Sequence, residues 1–157
     1  MKKYGKRRES KETSILSKLP TFEEFVTMFL KEYGLSIEFL KLDFKNTLSY
    51  LISIGKSFRD KFDACRYKLD LVCKMLSTYL SKYRLIKDVV FEPVVTSEFV
   101  QIIAKFRSYE SGIEIPLLMH ECVDCQVIYS NVSELERFVE DVVNERVKVV
   151  KELGLMY

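Results

Sequence analysis

Residues 56–83 read KSFRDKFDACRYKLDLVCKMLSTYLSKY, the longest amphipathic stretch of the chain. Apolar side chains recur there at steps of three and four residues, which is the spacing of one face of an α-helix. This apolar stripe consists of Phe58, Phe62, Cys65, Leu69, Val72, Leu76, Leu80 and Tyr83. The pattern predicts one long amphipathic helix over residues 56–83.

The segment before it also has helical signals. Thr21 and Glu24 have the spacing of a capping box, and Gly34 suits a left-handed helix end, so a first helix is predicted over residues 21–33. Ser36 is a favourable N-cap for a second helix over residues 36–54, which Gly55 would end. Because residues 36–44 alternate between apolar and polar, a strand there is the alternative.

The composition changes after residue 85, where Val and Ile become frequent and favour β-structure. Thr96 and Ser133 are possible N-caps for helices over residues 97–108 and 134–152. Short strands are predicted over residues 85–95, 112–118 and 126–129. The predicted fold class is therefore α+β, with a helical N-terminal half and a small β-sheet region covered by the two C-terminal helices.

Length and composition suggest one domain behind a tail. A chain of 157 residues is long enough to bury a substantial core. Residues 1–19 contain few apolar side chains and end before Pro20, so a basic, disordered and flexible tail is predicted there, followed by a single α+β domain over residues 20–157.

Charge is distributed unevenly along the chain. The first twelve residues carry six basic and two acidic side chains, residues 13–85 carry twelve and eight, and residues 86–157 carry seven and thirteen. Such asymmetry favours a polyanionic partner at the basic end. The function predicted first is an accessory protein that binds nucleic acid, with DNA expected before RNA, through phosphate contacts. The residues expected to make those contacts are Lys2, Lys3, Lys6, Arg7, Arg8, Lys11, Arg59 and Arg66. A solvated tail and a salt-bridged helix face are the plainer alternative.

Residues 29–44 resemble the turn of a helix-turn-helix, where Gly34 permits the turn and Ser36 caps the next helix. In that reading, the donors available to DNA bases are Lys41, Lys45 and Asn46. A helical hairpin that buries both helices explains the same pattern without DNA.

A metal-dependent nuclease is the second functional hypothesis. Converging carboxylates can hold Mg²⁺ for phosphodiester hydrolysis, and no other cofactor is expected. The candidate catalytic residues are Glu92, Glu114, Glu121 and Asp124. Acids on a solvent-facing surface are the structural alternative.

The cysteines allow several interpretations. Cys122 and Cys125 form a Cys-x-x-Cys motif next to His120, which is the only histidine. A structural role that includes a disulfide, half of a zinc site completed by His120 or by Cys65 and Cys73, and a redox pair all remain open. Cys65 and Cys73 are more simply explained as core residues of the long helix.

A third hypothesis is a structural or interaction module that forms a homodimer. The chain has twenty Phe and Tyr residues, which would leave aromatic surface for self-association. No run of apolar residues is long enough for a membrane span, so a cytoplasmic protein without a membrane partner is expected. Few Asn and Gln residues suggest a thermophilic source.

Overall fold

The computed structural model describes residues 19–97, 99–107, 114–122 and 132–152, with the backbone alone for residues 114–122. Within these ranges the chain forms four α-helices, a 3-10 helix and a three-stranded antiparallel sheet. The α+β class with a helical N-terminal half is confirmed. Residues 1–18 of the predicted tail and the strand predicted over residues 126–129 lie outside the described part of the chain.

Helix α1 spans Phe22–Lys31 and begins at the predicted capping box. The Thr21 hydroxyl accepts from the Glu24 N–H at 3.1 Å, and the Glu24 carboxylate accepts from the Thr21 N–H at 3.2 Å. Gly34 has φ +74°, and the N–H of Leu35 returns to the carbonyl of Leu30. This pattern of bonds closes the helix with the left-handed turn that the glycine was expected to provide.

The continuous second helix predicted over residues 36–54 is wrong. A 3-10 helix at Ile37–Lys41 is followed by helix α2 at Phe44–Ser53. The cap of α2 is Asp43, whose carboxylate accepts from the Asn46 N–H at 2.8 Å, whereas the side chain of Ser36 caps nothing. The stronger cap therefore begins a new helix and divides the segment. Gly55, with φ +90°, ends α2 as predicted.

Helix α3 spans Lys61–Tyr83 and is the central element. It begins five residues later than predicted because the N–H of Lys56 still bonds to the carbonyl of Leu51 in α2, and Asp60 then caps the new helix. Its buried residues point in several directions, so only a narrow exposed strip remains. These buried residues are Ala64, Cys65, Lys68, Leu69, Leu71, Val72, Cys73, Met75, Leu76 and Leu80.

The helix predicted over residues 97–108 is wrong, because this segment is a strand. Strands β1 (Val89–Val95), β2 (Val100–Arg107) and β3 (Glu114–Cys122) lie in the order β1-β2-β3. In β2, buried and half-buried residues alternate with the period of two that a strand requires. Thr96 caps the β1–β2 hairpin instead of a helix, since its hydroxyl accepts from the Phe99 N–H at 3.0 Å.

Helix α4 spans Val132–Glu152, so Ser133 lies in its first turn and not at its cap. It packs on the sheet, where the rings of Phe138 and Phe91 are 6.0 Å apart. The sheet is covered by α3 and α4, and not by two helices from the C-terminal end, because residues 100–107 joined the sheet.

Candidate nucleic-acid interface

Most of the predicted phosphate contacts belong to the tail. Lys2, Lys3, Lys6, Arg7, Arg8 and Lys11 lie outside the described residues. The structure places the remaining two, Arg59 and Arg66, at the beginning of α3.

Arg59 and Arg66 are exposed but stand among acids. Arg59 precedes the capping residue of α3, and its guanidinium donates twice to Asp63, at 2.7 and 3.2 Å. This hydrogen-bonded pair raises the pKa of Arg59 and lowers that of Asp63. Arg66 lies between Asp63 and Asp70, and its charge acts on both carboxylates. The positive potential at this end of α3 is therefore reduced locally.

Arg84 also has a partner. It follows α3, and its guanidinium donates to the carboxylate of Glu140 on α4. That hydrogen bond is the main reason why the pKa of Arg84 is raised above its ordinary value. Arg84 therefore joins α3 to α4 and does not extend a phosphate-binding surface.

A groove with a volume of about 420 Å³ lies between α1 and the C-terminal half of α3. We call it the α1/α3 groove. Both helices contribute to it, and the segment after α1 adds Tyr33. The lining residues are Phe25, Met28, Phe29, Glu32, Tyr33, Lys74, Thr78, Lys82 and Tyr83.

The rings of the α1/α3 groove contact one another in a row. The centroids of Phe25 and Phe29 are 6.0 Å apart, and those of Phe29 and Tyr33 are 5.3 Å apart. On the other side, the ring of Tyr83 meets Phe25 nearly edge-on at 5.6 Å. Phe25 and Phe29 are buried, whereas Tyr33 and Tyr83 are half-buried. The phenylalanines thus form the floor, and the two tyrosines lie where a ligand would meet them.

Two exposed lysines accompany the tyrosines. The Nζ atom of Lys74 is 5.6 Å from the ring centroid of Tyr33, and that of Lys82 is 5.4 Å from the ring centroid of Tyr83. A hydrogen bond with Tyr33 raises the pKa of Lys74, so its ammonium form is favoured. Eight residues of helix separate the two lysines, which corresponds to about 12 Å along the axis of α3. Glu32 is the one acid among the lining residues.

The sequence reasoning missed this groove. Phe25, Phe29 and Tyr33 repeat at steps of four, a spacing that by itself indicates only a buried face of a helix. At about 100° per residue Lys74 lies opposite the apolar stripe of residues 56–83, which indicates a solvent-facing side chain. Residues 56–83 alone do not specify which other segment of the chain packs beside Lys74.

The turn at Gly34 does not lead into a recognition helix. The next element is the short 3-10 helix, in which Phe39 and Leu40 are buried. Lys41, one of the expected base contacts, lies 3.4 Å from the carboxylate of Glu38. The helix-turn-helix interpretation is therefore wrong.

The candidate catalytic acids are spread along the sheet. Glu92 on β1 forms an ion pair with Lys105 on β2 at 2.8 Å. On β3, Glu114 pairs in register with Arg107, and Glu121 pairs with Gln101. These two β3 positions are seven residues apart, or about 23 Å in an extended strand, so one metal ion cannot bind both. Asp124 lies outside the described residues.

The cysteines of α3 are core residues, and they differ in oxidation state. Cys65 is fully buried and disulfide-bonded, whereas Cys73 is a buried free thiol. Burial raises the pKa of Cys73 to about 12. Zinc requires thiolate ligands, so a disulfide-bonded Cys65 and a protonated Cys73 do not complete a zinc site. The side chain of Cys122 and all of Cys125 lie outside what the structure describes.

Among the described side chains, no three from His, Cys, Asp and Glu converge as a metal site would require. None of the helices in the described ranges is both long and apolar enough to cross a bilayer. No protein-family model, curated protein or solved structure matches this chain.

Proposed function

We propose that this protein binds nucleic acid as an accessory factor, with DNA as the first ligand to test, and that α3 supplies phosphate contacts in addition to those of the basic tail. The observation that carries the proposal is the pair of exposed lysines, Lys74 and Lys82, beside the α1/α3 groove. In the part of the chain that the structure describes, neither lysine forms an ion pair with a carboxylate. Their charges are therefore available to phosphates.

The proposal shifts the main contact along α3. Arg59 and Arg66 are phosphate contacts predicted from the sequence, but Asp63 and Asp70 reduce the potential around them. Lys74 and Lys82 follow on the same helix, and Glu32 is the one acid among the residues that line the groove beside them. A strand held by the tail can thus be held a second time by the C-terminal half of α3.

The test is fluorescence anisotropy of a labelled oligonucleotide over a salt series. Each lost phosphate contact lowers the slope of log affinity against log salt by about 0.7–0.9. We expect deletion of residues 2–11 to reduce the slope by several contacts, and Lys74→Gln with Lys82→Gln to reduce it by about two contacts. The matched control is Lys87→Gln with Lys151→Gln, which removes the same charge from exposed positions outside the groove.

Equal losses in the groove pair and the control pair would show that only net charge matters, and would contradict the assigned site. Unchanged affinity after the tail deletion and after the groove substitutions would overturn the proposed function.

A metal-dependent nuclease is the second candidate, and one observation favours it. Glu92 on β1 lies 2.8 Å from Lys105 on β2 with 46% of its side chain exposed, and an exposed carboxylate is the kind of ligand that Mg²⁺ takes. Incubation of DNA with Mg²⁺, with Glu92→Gln as the comparison, tests it. Cleavage that requires the metal and is lost in Glu92→Gln would support the nuclease, whereas intact strands in all samples would exclude it.

A further inference from the structure

We propose that the α1/α3 groove is a stacking site for the unpaired bases of a single-stranded nucleic acid. The inference rests on the proposed function and deepens it, because it specifies the strand state of the ligand and the part of the nucleotide that is recognised.

The α1/α3 groove combines cations and aromatic rings in one concave site. Proteins that bind single strands combine cations for the backbone with aromatic rings on which bases stack. The groove has both, since Tyr33 and Tyr83 are each accompanied by a lysine at less than 6 Å. Arg59 is instead hydrogen-bonded to the carboxylate of Asp63, and the charge of Arg66 acts on the carboxylate of Asp70.

The size and shape of the α1/α3 groove favour an unpaired base over a duplex. At about 420 Å³ the groove falls in the volume range of small-molecule sites, about 300–1,000 Å³. The faces of bases inside a duplex are covered by their neighbours, so a duplex can place only phosphates against the two lysines. An unpaired base can enter, contact the floor formed by Phe25 and Phe29, and leave its phosphates near Lys74 and Lys82.

The charges and apolar side chains that line the groove suit a nucleotide. Two cations and one acid line the groove, which gives it a positive excess that suits phosphate. Met28, whose exposed fraction is 51%, adds an adaptable apolar side chain that can contact any base. None of these groups forms a rigid donor and acceptor pattern, so we expect stacking with little preference for base sequence.

The experiment compares three ligands of equal length: a single strand, a duplex, and an abasic single strand that keeps the phosphates but lacks the bases. We expect the intact single strand to bind roughly tenfold more tightly than the abasic strand, since stacking on one aromatic ring contributes about 1–3 kcal/mol per base. The double variant Tyr33→Leu with Tyr83→Leu should remove most of this difference, so that the intact strand binds about as weakly as the abasic strand.

The matched control is Tyr50→Leu, a half-buried tyrosine that contacts Phe39 away from the groove. Circular dichroism melting of each variant separates a folding defect from a binding defect. Fluorescence gives a direct test: the chain contains no tryptophan, so Tyr83→Trp places a single tryptophan in the groove, which can be excited selectively at wavelengths that tyrosine does not absorb. Intact single strands should quench this fluorophore by stacking, and abasic strands should not.

Failure of the stacking site and failure of the proposed function give different experimental results. If the three ligands bind equally and the tyrosine variants behave like Tyr50→Leu, the stacking site is wrong, although phosphate binding by the lysines stands. If none of the three ligands binds to the full chain, the proposed function fails as well. Quenching of the tryptophan variant by an uncharged amphipathic helical peptide, but not by single strands, would assign the groove to a protein partner and overturn the inference.

Discussion

Arg146 on α4 donates from its Nε atom to Oδ1 of Asp88 at 2.7 Å, and this bond ties the last helix to the residue before β1. Only 6% of the Asp88 side chain and 20% of the Arg146 side chain are exposed. The guanidinium carbon also lies 5.9 Å from the ring centroid of Phe106 on β2. One arginine thus holds α4, the start of β1 and the end of β2 together.

Arg146→Met should lower the free energy of unfolding by about 3 kcal/mol, because removal of one partner leaves a buried charge uncompensated. Arg146→Met combined with Asp88→Asn should recover part of that loss, since no buried charge then remains. Urea denaturation followed by circular dichroism measures both. The control is Arg137→Met on the same helix, where the arginine is 71% exposed and should contribute little. A double variant that is no more stable than the single variant would contradict the assignment.

The buried thiol of Cys73 should make stability depend on pH in alkaline solution. Burial raises the pKa of Cys73 from its ordinary 9.0 to about 12, and the nearby charges of Asp70 and Glu92 add to the effect. Below the ordinary value the thiol is protonated in both states, so it contributes no pH dependence. Between the two values the unfolded chain loses the proton and the folded chain keeps it. Stability should therefore fall as pH rises, by at most about 1.4 kcal/mol per unit from this group.

Urea titrations from about pH 8 to about pH 10.5 test this linkage, with Cys73→Ala as the comparison. Lysines and tyrosines titrate in the same range in both proteins, so the difference between the two curves isolates the thiol. Parallel curves for the wild type and Cys73→Ala would show that the thiol does not couple to folding.

Leu85 is expected to be a site where glycine stabilises the fold. It has φ +56° after the end of α3, and its exposed fraction is 81%. The left-handed conformation costs an L-residue about 1–2 kcal/mol, of which glycine's greater freedom in the unfolded chain cancels about half. Leu85→Gly should therefore raise the free energy of unfolding by about 0.5–1 kcal/mol, measured by urea denaturation. Lys87→Gly nearby, where φ is not positive, should lower it instead; a loss in both variants would contradict the argument.

Arg59 and Arg66 should matter less for nucleic-acid binding than Lys74 and Lys82. Asp63 already accepts two hydrogen bonds from Arg59, so a phosphate would have to compete with it. Arg59→Gln with Arg66→Gln should leave the salt slope almost unchanged, whereas the lysine pair should reduce it by nearly two contacts. Anisotropy in parallel salt series measures both pairs. A larger slope change in the arginine pair would move the interface to the beginning of α3.

Local signals predicted the elements whose ends are fixed by neighbouring residues. Thr21, Glu24 and Gly34 defined α1 within two residues, because caps act through contacts three to five positions away. Thr96 misled the prediction for the same reason. Its hydroxyl bonds to the backbone of Phe99, a bond that suits the first turn of a helix and also a hairpin. The choice between them depended on pairing of Val100–Arg107 with two other strands, which is a long-range contact.

The candidate site was less accessible from the sequence than the fold class. Charge counting shows a basic end and a basic middle of the chain, and helical spacing puts Lys74 opposite the apolar stripe of residues 56–83. The groove itself needs Phe25 and Tyr33 next to Lys74 and Tyr83, residues about fifty positions away in the chain. No local sequence pattern shows that these two segments lie side by side in the fold. The ion pair of Arg59 with Asp63 follows from their i,i+4 spacing, and it reduces a charge that the sequence reasoning had counted in full.

The burial of α3 on several sides determines how its backbone amides exchange with deuterium. The N–H groups near Leu69 and Leu76 are covered by α1, α2 and β1, so they should become accessible to solvent only when the whole domain opens. The same helix carries Lys74, Thr78 and Lys82 on its exposed side. A ligand in the α1/α3 groove would therefore slow exchange at the buried amides by the factor one plus its concentration over its dissociation constant. The exchange rates of these buried amides thus measure the affinity of the groove for its ligand, although the ligand does not contact them.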